Sequence, residues 1–408
     1  MNDGGVLVNH HPVQIKGITL GVTSAGIRKP GRKDLLVIRL EDDVKVAGVF
    51  TTNQFRAAPV ILAEKFLKDK NPIKALIVNT GFANAGTGDM GMQNALSVCE
   101  ALGNLISVPL ESVLPFSTGV IMEHIPVDRI LAGLPVCLDV QRPDSWGDAA
   151  SAIMTTDLVE KIASTSTHLG GQQVSVTGIA KGSGMIKPNM ATMLSFVATD
   201  ANISQDALNN ILKTVTDRTF NCISVDGDTS TNDSFVLMAS GKAGNLEITD
   251  ESSPGYDDFL RAVTSVCEDL AKQIVRDGEG ATKFIEILVD QAEDEIEAKK
   301  VAFAIAHSPL VKTAFFASDP NLGRIISAIG ASGIGGLDVK KVTVKMGDLT
   351  VASNAGPAPG YSEQRAREIM SGRDIKLHIS LGRGTVSSRI WTCDLSYDYV
   401  KINAEYRS

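Results

Sequence analysis

The sequence predicts a mixed α/β fold built in layers. Segments with strand character alternate with segments of helical spacing along the 408 residues, but no regular βαβ repeat emerges. Apolar residues make up 43% of the chain and charged residues 21%, as in ordinary globular proteins, and the length suits roughly two or three domains. These observations favour helices packed on mixed sheets, with a C-terminal domain that begins near Asp290.

The elements follow one another as short apolar strands and amphipathic helices. In the first half, strands are predicted at DLLVIRL (34–40), KVAGVFTT (45–52) and KALIVNTG (74–81), and a helix at MQNALSVCEALGNLI (92–106). Further on, strands are predicted at SFVATDANIS (195–204) and KFIEILVDQ (283–291), and helices at residues 205–220, 255–278 and 293–308. The tail from 342 to 399 is predicted as mostly strand with one helix, SEQRAREIMSG (362–372).

The composition argues against several kinds of partner and cofactor. A net charge of −8 disfavours nucleic acid and anionic membranes, because both repel a net anion. Five cysteines, odd in number and never in a CxxC pair, are typical of reduced thiols rather than of disulfides or a zinc site. Neither a signal peptide nor an apolar run of the roughly 20 residues that span a membrane is evident. The sequence therefore predicts a cytoplasmic protein without a metal site.

Three polar or glycine-rich motifs have a structural and a chemical interpretation. The segment VDGDTSTNDS (225–234) resembles a calcium loop, but Thr231 and Leu237 stand where an EF-hand needs Gly and Glu, so a hydrogen-bonded structural loop is predicted. The segment DPNLGRIISAIGASGIGG (319–336) reads as a turn that leads into a helix. The segment FSTGVI (116–121) could hold an oxyanion, but by itself a turn or cap is the commoner structure.

The segment KGSGMIKPNMATML (181–194) contains a threonine, Thr192, between Ala191 and a methionine. A threonine hydroxyl becomes a good nucleophile without histidine when it is N-terminal, because its own α-amine then serves as the base. The chain would first have to break before Thr192, by attack of its hydroxyl on the Ala191 carbonyl and an N-to-O acyl shift. From the chemistry alone, an ordinary strand threonine is the more common alternative.

Nine further motifs occur along nearly the whole chain: GVTSAGIRKPGRKDL, VFTTNQFRAAPV, VNTGFANAGTG, FSTGVI, IMTTD, DGDTSTND, RDGEGATK, DPNLGRI and KINAEYRS. Together with the segment that contains Thr192, and in this order, they closely resemble the ornithine acetyltransferase family, whose members are often bifunctional glutamate N-acetyltransferases of arginine biosynthesis.

The resemblance implies self-cleavage between Ala191 and Thr192 and an α-β-β-α sandwich of the kind found in aminopeptidases related to N-terminal-nucleophile enzymes, with a smaller C-terminal α/β domain. The α chain, 1–191, would form part of the core. Residues 192–289 would complete it, and 290–408 would form the C-terminal domain of the β chain. The two chains would stay associated, in an α2β2 heterotetramer.

The resemblance also implies the roles of individual residues. Thr192 would be the nucleophile, and Thr118 with Gly119 would form the oxyanion hole. The implied substrate contacts are Thr155, Lys181, Thr192, Glu279, Asn403 and Ser408. The acetyl group would pass from N-acetylornithine through Thr192 to glutamate without a cofactor, and acetyl-CoA remains open as a further co-substrate. Two alternatives stay open: an N-terminal-threonine aminopeptidase or amidase on a related fold, and an unprocessed relative without catalysis.

Overall fold

The computed structural model describes residues 6–187 and 193–405, which form two compact units. The first unit comprises 6–182, 187, 193–221 and 229–274, and the second comprises 183–186, 222–228 and 275–405. Among these residues, no helix combines the length and the apolar character that crossing a membrane requires.

The strands, in chain order, are β1 (Ile18–Thr23), β2 (Leu35–Leu40), β3 (Lys45–Phe50), β4 (Ala75–Phe82), β5 (Val113–Val120), β6 (Lys161–Leu169), β7 (Gln172–Lys181), β8 (Leu194–Thr199), β9 (Ile223–Ser224), β10 (Ser234–Ala239), β11 (Phe284–Ala292), β12 (Thr343–Met346), β13 (Leu349–Ser353), β14 (Gly356–Pro357), β15 (Asp374–Ser380) and β16 (Val386–Cys393). The α-helices are α1 (Ala58–Lys68), α2 (Gly88–Ile106), α3 (Val127–Asp139), α4 (Trp146–Ile153), α5 (Gln205–Arg218), α6 (Tyr256–Arg276), α7 (Glu295–Ala306), α8 (Pro309–Phe316), α9 (Leu322–Gly330), α10 (Glu363–Ser371) and α11 (Tyr397–Ala404).

The first unit is built on two mixed sheets that face each other. One has the order β1-β2-β4-β5 and the other the order β3-β10-β8-β7-β6. Phe196 of β8 contacts Phe116 of β5 across the space between the sheets, with ring centroids 5.1 Å apart. Because successive side chains of a strand point to opposite faces, the next residue, Val197, faces away from the other sheet. Helices α2 and α3 pack on the four-stranded sheet, and α5 and α6 on the five-stranded one. The predicted α-β-β-α arrangement is confirmed.

The second, smaller unit is also an α/β structure, as predicted. Its seven-stranded sheet has the order β14-β13-β12-β15-β11-β16-β9, and α7 packs on β11 and β16. Local capping explains where its helices begin. Asp294 accepts a hydrogen bond from the Glu297 N–H at the start of α7, and Ser308 does the same for the Val311 N–H at the start of α8.

Most of the predicted elements are present at the expected places. The long helices at 92–106, 205–220, 255–278 and 293–308 correspond to α2, α5, α6 and α7. The segment 225–233 is a hydrogen-bonded loop, and the five cysteines, all of them in the described residues, are buried and form no disulfide. The interpretation of FSTGVI as a turn is wrong, because Phe116 to Val120 lie within strand β5.

Candidate active site

The predicted oxyanion pair, Thr118 and Gly119, lies on strand β5 where it runs parallel to β4. The backbone φ of Gly119 is 135°, which residues with a side chain rarely adopt. A Cβ atom on Gly119 would lie 2.2 Å from the carbonyl carbon of Gly81, so the two strands approach this closely only because residue 119 has no side chain. Donors of an oxyanion hole need a fixed position, and this packed strand pair supplies one.

A buried asparagine holds the backbone immediately before Thr118. The Asn232 amide nitrogen donates to the carbonyl oxygens of Ser117, at 2.8 Å, and of Ala83, at 2.6 Å. The Ser117 hydroxyl in turn donates to Asn79 Oδ1 at 2.6 Å. The loop that was predicted to be structural therefore also supports the predicted oxyanion strand. No local pattern could reveal this contact, since 115 residues separate Asn232 from Ser117.

The structure brings together two of the predicted substrate residues, Thr155 and Lys181. The Lys181 ammonium donates to Thr155 Oγ1 at 3.2 Å. Thr155 lies between α4 and β6, and Lys181 is the last residue of β7, where it pairs with Leu194 at the start of β8. The pair is therefore close to the point where the described chain resumes after residue 192.

Two buried charges beside this pair were missed by the sequence analysis. Asp157 and Lys161 have fully buried side chains, and their charged atoms lie 2.7 Å apart. Burial by itself would raise the pKa of Asp157, but the charges of Lys161 and Lys181, with hydrogen bonds from Lys161 and the Thr155 N–H, outweigh burial and lower the pKa to about 2. Asp157 is therefore ionised at neutral pH. Asp157 is the last residue of the IMTTD motif, in which the family resemblance implies a substrate contact for Thr155 only.

A second buried carboxyl lies on the other side of β8. Asp233 is 2% exposed, and the N–H of the next residue, Ser234, donates to the carbonyl oxygen of Met193 at 2.8 Å. Burial raises the pKa of Asp233 well above its ordinary value, against the opposing effects of a hydrogen bond with Ser230 and of the charge of Lys181. Asp233 Oδ2 has no hydrogen-bond partner among the described residues. Asp233 was likewise missed, because nothing local distinguishes it from a loop aspartate.

The second unit brings together Glu279 and Asn403. The Asn403 amide nitrogen donates to Glu279 Oε2 at 2.8 Å, and the Glu279 N–H donates to the carbonyl oxygen of Ser183, also at 2.8 Å. A Cβ atom on Gly184 would lie 2.5 Å from the Glu279 carboxyl carbon. The close approach of the Glu279 carboxylate to the KGSGM segment therefore requires a glycine at position 184.

Further carboxylates accumulate around Tyr399 in the same unit. Burial raises the pKa of the Tyr399 hydroxyl, and the negative charges of Asp226, Glu279 and Asp228 raise it further. Asp226 also accepts hydrogen bonds from the N–H groups of Met185, at 2.6 Å, and Ile186, at 2.9 Å. The negative potential around Glu279 suits a bound cation, and Asp226 anchors the segment that leads to the predicted cleavage bond.

Three predicted site residues, Ala191, Thr192 and Ser408, lie outside the described residues. The described chain resumes at Met193, which is buried, with strand β8 following. Of the predicted site residues that are described, Thr118 and Gly119 pair with Thr80 and Gly81 of β4. The structure brings Thr155 to Lys181 in the first unit and Glu279 to Asn403 in the second.

Comparison with known proteins identifies relatives along nearly the whole chain. The family model described as ArgJ matches residues 19–408. The arginine biosynthesis bifunctional protein ArgJ of Colwellia psychrerythraea is 51% identical over 409 residues, which covers 97% of this chain and 96% of that protein.

Two solved structures of similar sequence match about half of the chain. The arginine biosynthesis bifunctional protein of Bacillus halodurans is 45% identical, with a TM-score of 0.49, and covers 51% of this chain and 97% of its own. The ornithine acetyltransferase of Mycobacterium tuberculosis, solved with ornithine, is 31% identical, with a TM-score of 0.41, and covers 46% of this chain and 100% of its own. From the family match and the full-length identity to the Colwellia protein, the chain belongs to the ArgJ family.

Proposed function

We propose that this protein is an ornithine acetyltransferase of arginine biosynthesis, which moves the acetyl group of N2-acetyl-L-ornithine to L-glutamate. The observation that carries the proposal is the 51% identity to a bifunctional ArgJ protein over 97% of the chain. The enzyme is an acyltransferase. We place it in the cytoplasm as an α2β2 assembly, with acetyl-CoA as an additional acetyl donor to be tested.

The first step of the proposal is self-cleavage. The Thr192 hydroxyl attacks the carbonyl carbon of Ala191, the peptide C–N bond breaks, and the acyl group moves to the threonine oxygen. Water then hydrolyses this ester, which leaves a carboxylate on Ala191 and a free α-amine on Thr192. A free α-amine ordinarily has a pKa of about 7.7–8.0, so a useful fraction is neutral and able to accept a proton near neutral pH.

Acetyl transfer then follows a two-step course. Thr192 attacks the acetyl carbonyl of the donor, and the oxyanion that forms is stabilised at Thr118 and Gly119. Ornithine leaves with the proton that Thr192 gave up, and the acetyl group remains on the threonine oxygen. The amine of glutamate attacks this ester, which yields N-acetylglutamate and restores the hydroxyl. No cofactor is needed, because each step exchanges one acyl bond for another.

The charges of the predicted substrate residues suit an acetylated amino acid. Lys181, hydrogen-bonded to Thr155, provides positive charge for a carboxylate, and Glu279, held by Asn403, provides negative charge for the ornithine ammonium. Ser408 is proposed as a further contact from the family resemblance.

The intact mass of the protein tests the cleavage. We expect two pieces, 1–191 and 192–408, for the wild type and a single chain of 43.2 kDa for Thr192→Ala. Replacement of an exposed threonine elsewhere, Thr249→Ala, serves as the control and should leave two pieces. A wild type that stays uncut, or a Thr192→Ala variant that is still cut at the same bond, would contradict the mechanism.

Product analysis tests the reaction. Incubation of the cleaved protein with N-acetylornithine and glutamate should give ornithine and N-acetylglutamate in equal amounts. Release of free acetate that exceeds transfer at saturating glutamate would instead identify an amidase, in which water is the acceptor. If a cleaved, folded sample forms neither N-acetylglutamate nor free acetate, both the acetyltransferase and the amidase are excluded.

A further inference from the structure

The side chains of Asp157 and Lys161 are completely buried, although Asp157 lies in the segment that connects a helix to a strand. Asp157 lies between α4 and β6, and Lys161 is the first residue of β6. A buried ion pair is often no more stabilising than apolar residues of similar size, because both charges lose their hydration. A gain in stability therefore does not explain why this ion pair is buried. The other hydrogen bonds of Asp157 indicate its role.

The Asp157 carboxylate joins two separate segments of the chain. Its Oδ2 accepts the N–H of Thr155 at 2.9 Å, and its Oδ1 accepts the N–H of Gly182 at 2.7 Å, together with the Lys161 ammonium at 2.7 Å. Gly182 directly follows Lys181. One carboxylate therefore holds the backbone of Thr155 and the end of β7 at a constant separation.

The remaining polar groups of Thr155 are also occupied. Its carbonyl oxygen accepts a hydrogen bond from Arg32 at 3.1 Å, and its hydroxyl accepts one from Lys181 at 3.2 Å. The hydrogen bonds to the backbone of Thr155 and Gly182, together with the one between the Thr155 and Lys181 side chains, therefore orient the Thr155 hydroxyl and the Lys181 ammonium.

We propose that Asp157, paired with Lys161, is a positioning residue that holds Thr155 and Lys181 at the spacing that recognises the acetylated amino acid, an inference that rests on the function proposed above. Lys161 balances the buried charge of Asp157, so that Asp157 can accept both N–H groups while Lys181 keeps its positive charge for a substrate carboxylate. Asp157 is not expected to touch the substrate itself.

The test uses a double variant in which no charge is left buried without a partner. Asparagine has the size of aspartate, but one of its terminal groups is an NH2, which cannot accept the second N–H. In Asp157→Asn with Lys161→Met, the chain therefore loses one of the two backbone contacts without gaining an uncompensated ammonium. Asp200→Asn is the matched control, because Asp200 is a buried aspartate that accepts the Ser175 N–H after the other end of β8.

We expect the double variant to cleave itself and to show a KM for N-acetylornithine about 10- to 100-fold higher than that of the wild type, as when a displaced Lys181 loses its charge-assisted hydrogen bond to the substrate carboxylate. We expect kcat to fall by less than about tenfold. The control should keep the KM of the wild type within about twofold. A folded double variant whose KM also stays within that range would overturn the proposal, since a purely structural role predicts a lower Tm without a change in KM.

Amide hydrogen exchange of the wild type gives a second measurement that needs no variant to fold. The N–H groups of Thr155 and Gly182 should be protected, and exchange of either at the rate of an unstructured peptide would overturn the proposal. If the wild type shows no acetyl transfer, the proposed function fails, and the exchange measurement still decides whether Asp157 holds the two segments.

Discussion

At the scale of single residues, the site depends on two glycines, because each leaves room that a side chain would fill. Gly119 and Gly184 each lie where a Cβ atom would overlap another group, the backbone of Gly81 in one case and the carboxylate of Glu279 in the other. Gly119 of FSTGVI and Gly184 of KGSGM are therefore explained by close approach within the folded units.

Gly119→Ala should destabilise the protein and hinder acetyl transfer. The added Cβ would lie 2.2 Å from the Gly81 carbonyl carbon, so β4 and β5 would have to separate, and we expect Tm to fall by roughly 5–10 °C. Gly170→Ala is the control, because Gly170 also has a positive φ, 58°, but faces open space. Equal losses of Tm in the two variants, measured by thermal unfolding, would show that backbone strain rather than strand contact requires Gly119.

Asp233→Asn should change how stability depends on pH. Because the pKa of Asp233 is raised in the folded state, the folded protein keeps a proton that the unfolded chain releases above about pH 4. The wild type therefore loses stability as pH rises towards the folded pKa, by about 1.4 kcal/mol per pH unit, and the asparagine variant lacks this loss. The difference in Tm, variant minus wild type, should grow between pH 4.5 and 7; a constant difference would contradict the raised pKa.

At the scale of elements, the five-stranded sheet interleaves strands from both sides of the predicted cleavage bond. In the order β3-β10-β8-β7-β6, the strands β3, β7 and β6 precede residue 191, and β8 and β10 follow residue 192. Six residues of β7 pair with β8, and six of β3 pair with β10. Cleavage of the peptide bond between Ala191 and Thr192 would leave the hydrogen bonds between these strands intact.

The cleaved pieces should therefore elute together in size-exclusion chromatography and separate only in denaturant. Phe196→Ala should lower the denaturant concentration at which they separate, because it removes the ring contact with Phe116 in the core, a loss of about 3–5 kcal/mol. Phe55→Ala, at a side chain that is mostly exposed, should leave this concentration unchanged. Separate elution of the pieces under native conditions would show that the interleaved strands do not hold them.

At the scale of the whole molecule, local pattern and long-range contact account for different parts of the structure. Helices such as α5 and α6 were predictable from their hydrophobic period, and strands such as β2 and β8 were predictable as short apolar runs. The Ser-Thr-Gly of FSTGVI was not predictable as a strand, for a related reason. These residues are typical of turns, and only pairing with β4 makes them a strand.

Neighbouring residues and the order of the motifs are enough to predict the mixed α/β class, most of the elements, the family resemblance and the candidate site residues. Three other features depend on the folded chain: Asp157 joins Thr155 to Gly182, Asn232 supports the strand of Thr118, and Asp233 is buried beside the start of β8. These contacts join residues up to 115 positions apart, and their energies come from burial and from partners that the folded chain alone brings together.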